Sequence, residues 1–157
     1  MLLDAEELNS VDAGKLAAIQ EELVLAARLQ ESILPTEFPT DLPLALAHKY
    51  QPFANIGGDF YGWERLDRSH LGIVIADVSG HGPAAALVTA MFSVAFANYA
   101  SASPAATRSA LNHDFCESIH TDHYITAFYA VIDTDTKEMG YCSAGHPKQL
   151  LFRASGE

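Results

Sequence analysis

Residues 84–100, A-A-A-L-V-T-A-M-F-S-V-A-F-A-N-Y-A, constrain this chain more than any other stretch. The run is short for a bilayer, which takes about 20 apolar residues, and it contains Thr89, Ser93 and Asn98. It reads as a helix of a protein core. Gly80-His81-Gly82-Pro83 breaks the chain just before it, and Pro83 suits a first helical turn. With 157 residues, 49% hydrophobic and 18% charged, the chain is long enough for one domain around such a helix. It is too apolar to be mainly disordered.

The segments around this helix change period. L-A-L-A-H-K-Y (44–50), G-D-F-Y-G-W-E-R-L (58–66) and L-G-I-V-I-A-D-V (71–78) read as three strands before it. Asp67-Arg68-Ser69-His70 makes a hairpin turn between the last two. A second helix starts at Ser103-Pro104, with Ser103 as its N-cap, and runs to about residue 119. Three more strands follow: 124–133, 138–144 and 149–153, broken at Thr134-Asp135-Thr136 and at Gly145-His146-Pro147. Strands grouped around a helical pair imply an antiparallel α+β layer structure.

The N-terminal part differs in character. Residues 1–14 read as a polar linker. From Lys15 to Leu34, apolar residues at Leu16, Ile19, Leu23, Ala26 and Ile33 alternate steps of three and four, the seam of a packed helix that Pro35 and Pro39 end. That seam serves either a dimerisation helix joined to an upstream module or a helix lying on its own domain. Gln30 interrupts it.

Asp59 and Asp77 pose the chemical question. Asp59 follows Gly57-Gly58 at the start of an aromatic-rich strand, and Asp77 ends the apolar run I-V-I-A. A buried lone carboxylate costs several kcal/mol unless paired or metal-bound. If the two strands form a hairpin, both carboxylates reach one end of the sheet, where oxygen ligands suit Mg²⁺ or Mn²⁺. Alternatively, Asp77 or Ser79 caps the following helix. His81, between glycines near Asp77, is a candidate proton donor to a leaving group. His146 in A-G-H-P reads equally as a turn residue, and His120/His123 as a solvated connection that lacks the glutamate of a zinc-protease helix. Ser79 and Ser143 show no partner base, and no glycine-rich phosphate loop is present. Cys116 and Cys142, unpatterned, read as reduced, partly buried thiols of a cytoplasmic protein. A net charge of −11 argues against nucleic-acid binding, and no segment reads as a membrane span.

Five ordered motifs resemble the SpoIIE/RsbU-like branch of the PPM-type metal-dependent serine/threonine phosphatases. They are L-A-A-R-L-Q-E-S-I-L-P (25–35), Y-Q-P-F-A-N-I-G-G-D-F-Y (50–61), I-A-D-V-S-G-H-G-P-A-A-A-L (75–87), Y-I-T-A-F-Y-A-V-I-D (124–133) and S-A-G-H-P (143–147). The resemblance implies an α+β fold, a β-sandwich flanked by helices, with residues 40–157 as the N-terminal portion of the phosphatase domain and 15–35 as a regulatory linker helix. It implies a two-metal centre, Mn²⁺ or Mg²⁺, whose bound water attacks phosphoserine or phosphothreonine. By motif, Asp77 is the bridging ligand, Val78 offers its backbone carbonyl, and Asp59 binds one metal directly or through water. The implied substrate is a phosphorylated anti-sigma-factor antagonist, with an upstream sensor or receiver domain and a homodimer through residues 15–34.

Two departures accompany it. Gly62 stands where the family's G-G-D-F-Y-D carries its last acidic residue, and the family's later G-D and T-D-G segments are absent. The expectation is therefore a C-terminally incomplete domain with part of the metal site, prone to self-association through uncovered sheet. The competing expectation is a catalytically inactive interaction module.

Overall fold

In a computed structural model, residues 5–52 (backbone alone for 5–13), 56–118 and 122–153 are described. The element order is α1 (Ala5–Ser32), β1 (Asp59–Arg65), β2 (His70–Val78), α2 (Pro83–Tyr99), α3 (Pro104–Ser118), β3 (Ile125–Asp133) and β4 (Glu138–Ala144). The strands form one antiparallel sheet in the order β1-β2-β3-β4, the α+β layering expected from strands grouped around a helical pair.

Punctuation in the sequence sets most boundaries. Pro83 opens α2, whose N-cap is Gly82 at φ 79° with no side-chain cap. Neither Asp77 nor Ser79 caps this helix. Ser103 does cap α3: its Oγ accepts the Ala106 N–H at 3.3 Å. At the β1–β2 turn, Asp67 Oδ1 accepts the backbone N–H groups of Ser69 (2.9 Å) and His70 (2.8 Å), closing the hairpin.

Alternation along β2 assigns the sheet's two faces. Val74, Ala76 and Val78 are buried, as are Phe60 of β1 and Tyr129 and Val131 of β3, against Phe92 and Phe96 of α2 and Leu111 of α3. Phe60 meets Phe92 edge-on at 5.6 Å, and Phe96 meets Tyr129 edge-on at 5.4 Å. Tyr129 lies over Gly72, where an added Cβ would sit 2.5 Å from the phenol oxygen. Its hydroxyl donates to the Ser101 carbonyl at 2.9 Å, and burial raises its pKa to about 12. The apolar run 84–100 is thus the core helix its composition demands, and no described helix is long and apolar enough to cross a membrane.

The opposite face is open. Ile75, Met139 and Tyr141 stand exposed there. Toward β1, the segment 35–52 packs on this face through Phe38 on Trp63 and through His48 and Tyr50 on Tyr61. Residues 44–50, expected as a strand, form no ladder, because no described strand lies alongside to exchange hydrogen bonds. The same holds for 149–153, whose Leu150, Leu151 and Phe152 are exposed in succession. The expected six strands are therefore four. Three further expectations change. Helix α1 already runs through residues 5–14, read as a linker. Cys116 is exposed rather than partly buried, although it and Cys142 line one cavity of about 340 Å³ between α3 and the sheet. His120 lies outside the described residues.

Candidate metal and phosphoryl site

The hairpin places the two aspartates face to face. With seven paired positions between β1 and β2, Asp59 lies directly opposite Asp77, and the β2–β3 register puts Thr126 on the other side of Asp77. Side chains on neighbouring strands at paired positions share a face. The row Asp59–Asp77–Thr126 therefore crosses the open face at the sheet's end. Both aspartates are exposed, so the expectation of buried carboxylates is corrected: they end the strands where the sheet opens to solvent.

Their electrostatics remain unfavourable. The Asp59 carboxyl is held above its ordinary pKa, first by partial desolvation and then by the Asp77 charge, while His146 pulls it back down. Tyr50 is pushed up chiefly by burial and then by Asp59 and Glu31, and its buried hydroxyl has no hydrogen-bond partner among the described residues.

The glycines before Asp59 are gripped from three sides. Gln30 of α1, only 6% exposed, forms a reciprocal amide pair with Gly57: its Nε2 donates to the Gly57 carbonyl at 2.6 Å, and its Oε1 accepts the Gly57 N–H at 3.0 Å. Thr89 of α2 donates to the Gly58 carbonyl at 3.0 Å. The Val78 N–H donates to that same carbonyl at 3.1 Å. An added Cβ at Gly58 would sit 2.4 Å from the Val78 carbonyl oxygen, so glycine is required for this close approach.

These residues fit a hard divalent cation. Two carboxylates face each other at a cost in charge repulsion, and the Val78 carbonyl occupies a cradle that any side chain at Gly58 would fill. Among the described residues no cluster of three or more His, Cys, Asp or Glu gathers, so water would complete such a coordination shell.

The histidines separate. His81 is exposed between Gly80 and Gly82, both at positive φ. His123 Nδ1 pairs with the Ser79 carbonyl at 2.6 Å, and Ser79 Oγ accepts the Tyr124 N–H at 2.9 Å, which gives that serine a structural task. His146 joins the acid row through Thr126 Oγ1 at 3.1 Å. Sequence reasoning missed Gln30, Thr89 and the Thr126–His146 contact. Gln30 was visible only as a polar break in an apolar seam.

The layered α+β sheet is shared with a PP2C domain of known structure. The SiaA-PP2C domain of Pseudomonas aeruginosa matches it with a TM-score of 0.73 at 23% identity, over 84% of this chain and 55% of that one. The RsbU and RsbW domains of a Mycobacterium tuberculosis protein match with a TM-score of 0.51 at 25% identity, over 62% of this chain and 27% of that one. The family model described as Stage II sporulation protein E (SpoIIE) matches residues 67–157, and the chain belongs to that family. Among curated relatives, the phosphoserine phosphatase RsbP of Bacillus subtilis is 31% identical over 143 residues, 87% of this chain. The phosphoserine phosphatase RsbU of the same organism is 31% identical over 136 residues, 85% of this chain. The chain spans 35% and 40% of their respective lengths.

Proposed function

We propose that this chain carries part of a metal-dependent phosphoserine/phosphothreonine phosphatase site that acts on a phosphoprotein in bacterial signal transduction. The observation that carries the reading is Asp59 opposite Asp77 beside the glycine-cleared Val78 carbonyl, in a chain similar to two phosphoserine phosphatases. Asp59, Asp77 and the Val78 carbonyl would hold Mn²⁺ or Mg²⁺, which when bound supplies an activated water and neutralises phosphoryl charge. The chain's own residues orient the site. Gln30 and Thr89 fix the Gly57-Gly58 turn, and the β1–β2 register fixes the carboxylate spacing. The substrate in this reading is a phosphorylated anti-sigma-factor antagonist in the cytoplasm. Exposed Leu16, Ile19, Leu25 and Leu29 on α1 support a homodimer through residues 15–34, coupled to an upstream sensor or receiver domain. His81 is the candidate proton donor to the leaving group in this reading.

A second reading, an interaction module without catalysis, draws on the two-carboxylate site. Release of orthophosphate from a phosphoserine peptide with Mn²⁺ distinguishes them. The phosphatase reading expects release that disappears in Asp77→Asn. Folded chain that binds the phosphopeptide without releasing phosphate supports the module.

A further inference from the structure

The acid row does not end at Thr126. Strand β4 finishes at Ala144, and Gly145, at φ 68°, bridges in parallel to Ala127 of β3. The half-buried His146 follows this left-handed residue and is hydrogen-bonded to Thr126, which neighbours Asp77 in the register. The sequence S-A-G-H-P therefore places a histidine at the open end, not merely a turn.

Hydrogen bonding fixes which imidazole nitrogen is available. The Thr126 hydroxyl has an acceptor for its own hydrogen in the Asp77 carbonyl, a long contact at 3.5 Å. Thr126 Oγ1 and His146 Nδ1 share a hydrogen bond at 3.1 Å, which occupies Nδ1 in either tautomer. Nε2 is therefore the ring nitrogen left for a substrate atom. The ring's charge reaches the site: His146 lowers the Asp59 carboxyl against the opposing effects of desolvation and Asp77. The other histidines are placed differently. His123 is committed through Nδ1 to the Ser79 carbonyl, and His81 lies exposed in the turn before α2.

We propose that His146 is a catalytic residue that donates its Nε2 proton to the departing serine or threonine oxygen; this rests on the phosphatase reading above. The step balances as a hydrolysis. A water oxygen bonds to phosphorus as the bond from phosphorus to the side-chain oxygen breaks, and that electron pair stays on the side-chain oxygen. The oxygen takes the Nε2 proton and leaves as the free hydroxyl. The proton shed by the attacking water re-protonates the imidazole through solvent, and orthophosphate is released. An aliphatic alkoxide needs this proton, whereas a nitrophenolate leaves without it. Thr126 is a positioning residue that acts through His146.

The difference between leaving groups supplies the test. The full chain with Mn²⁺ is assayed on a phosphoserine peptide and on p-nitrophenyl phosphate, as wild type, His146→Gln and Thr126→Val. General acid catalysis contributes about 100-fold or more, so His146→Gln should lose about that factor in kcat on the peptide and less than about threefold on the nitrophenyl ester. Thr126→Val should show the same selectivity at roughly tenfold. Equal losses on both substrates, or none on either, overturn the assignment while leaving the phosphatase reading intact. A wild type that hydrolyses neither substrate overturns that reading, and this proposal with it. Should His146→Gln melt early, folded His146→Ala with added imidazole decides the same question: recovery on the peptide supports the assignment, and its absence refutes it.

Discussion

At the turn end of the β1–β2 hairpin, Asp67 accepts two backbone N–H groups and pairs with His70. Those bonds, the His70 N–H foremost, hold its carboxyl below the ordinary range. Asp133 nearby is lowered likewise, chiefly by the Thr136 hydroxyl. At the other end of the same two strands, Asp59 faces Asp77 and its carboxyl is raised. One hairpin thus carries aspartates whose hydrogen bonds are satisfied from within, and aspartates whose charge is left for something else to satisfy. The first kind closes a turn. The second leaves two carboxylates facing each other at the expense of repulsion.

The comparison breaks most readily through the glycine turn that positions the open end. Gly58→Ala forces a methyl group onto the Val78 carbonyl and should cost about 3 kcal/mol, read as a lower urea midpoint with loss of the Asp59–Asp77 pairing in amide exchange. Gln30→Ala leaves the Gly57 N–H and carbonyl without their amide partner and should cost about 2 kcal/mol. Its signature is faster exchange at Gly57 while the turn end keeps its protection. Mn²⁺ at about ten times its dissociation constant should stabilise wild type by about 1.4 kcal/mol, and Asp77→Asn should abolish the shift in melting temperature. Asp67→Asn at the turn end should leave that shift in place.

The pH dependence of Asp59 and that of Asp67 should run in opposite senses. In metal-free protein, the raised Asp59 favours the folded state below about pH 4, and that contribution disappears as pH rises through its folded value. Carbon-13 titration should show the Asp59 midpoint falling in Asp77→Asn and rising in His146→Gln. At the turn, lowered Asp67 stabilises above about pH 4 and loses this as pH falls through its folded value. His70, raised mainly by its bond to Asp67, stabilises below about pH 6.5 and loses this as pH climbs through its own. Asp67→Ala should flatten the dependence around the His70 midpoint, the smallest of these effects.

The hairpin was legible in the sequence because its signals are local. Asp67-Arg68-Ser69-His70 marks the turn, and period-two alternation on both sides sets the register that brings Asp59 to Asp77. The core helix was legible for the same reason, from Pro83 and an unbroken apolar run. Strands at 44–50 and 149–153 were not, since alternation announces a strand's faces but says nothing about whether a neighbour presents a ladder. Gln30 was misread in a telling way. As a polar residue in an apolar seam it weakens a coiled coil, and its partner Gly57 lies 27 residues away. His146 was equally opaque, because its meaning depends on the left-handed turn at Gly145 and on a threonine 20 residues earlier in the chain.

The open face has a colloidal consequence as well. Ile75, Tyr141 and the row Leu150-Leu151-Phe152 offer short-range adhesion, while a net charge of −11 sets up long-range repulsion between copies. The range of that repulsion is about 30 Å at 0.01 M salt and about 8 Å at 0.15 M. Solutions of this chain should therefore stay dispersed in dilute buffer and thicken into clusters as simple salt is added.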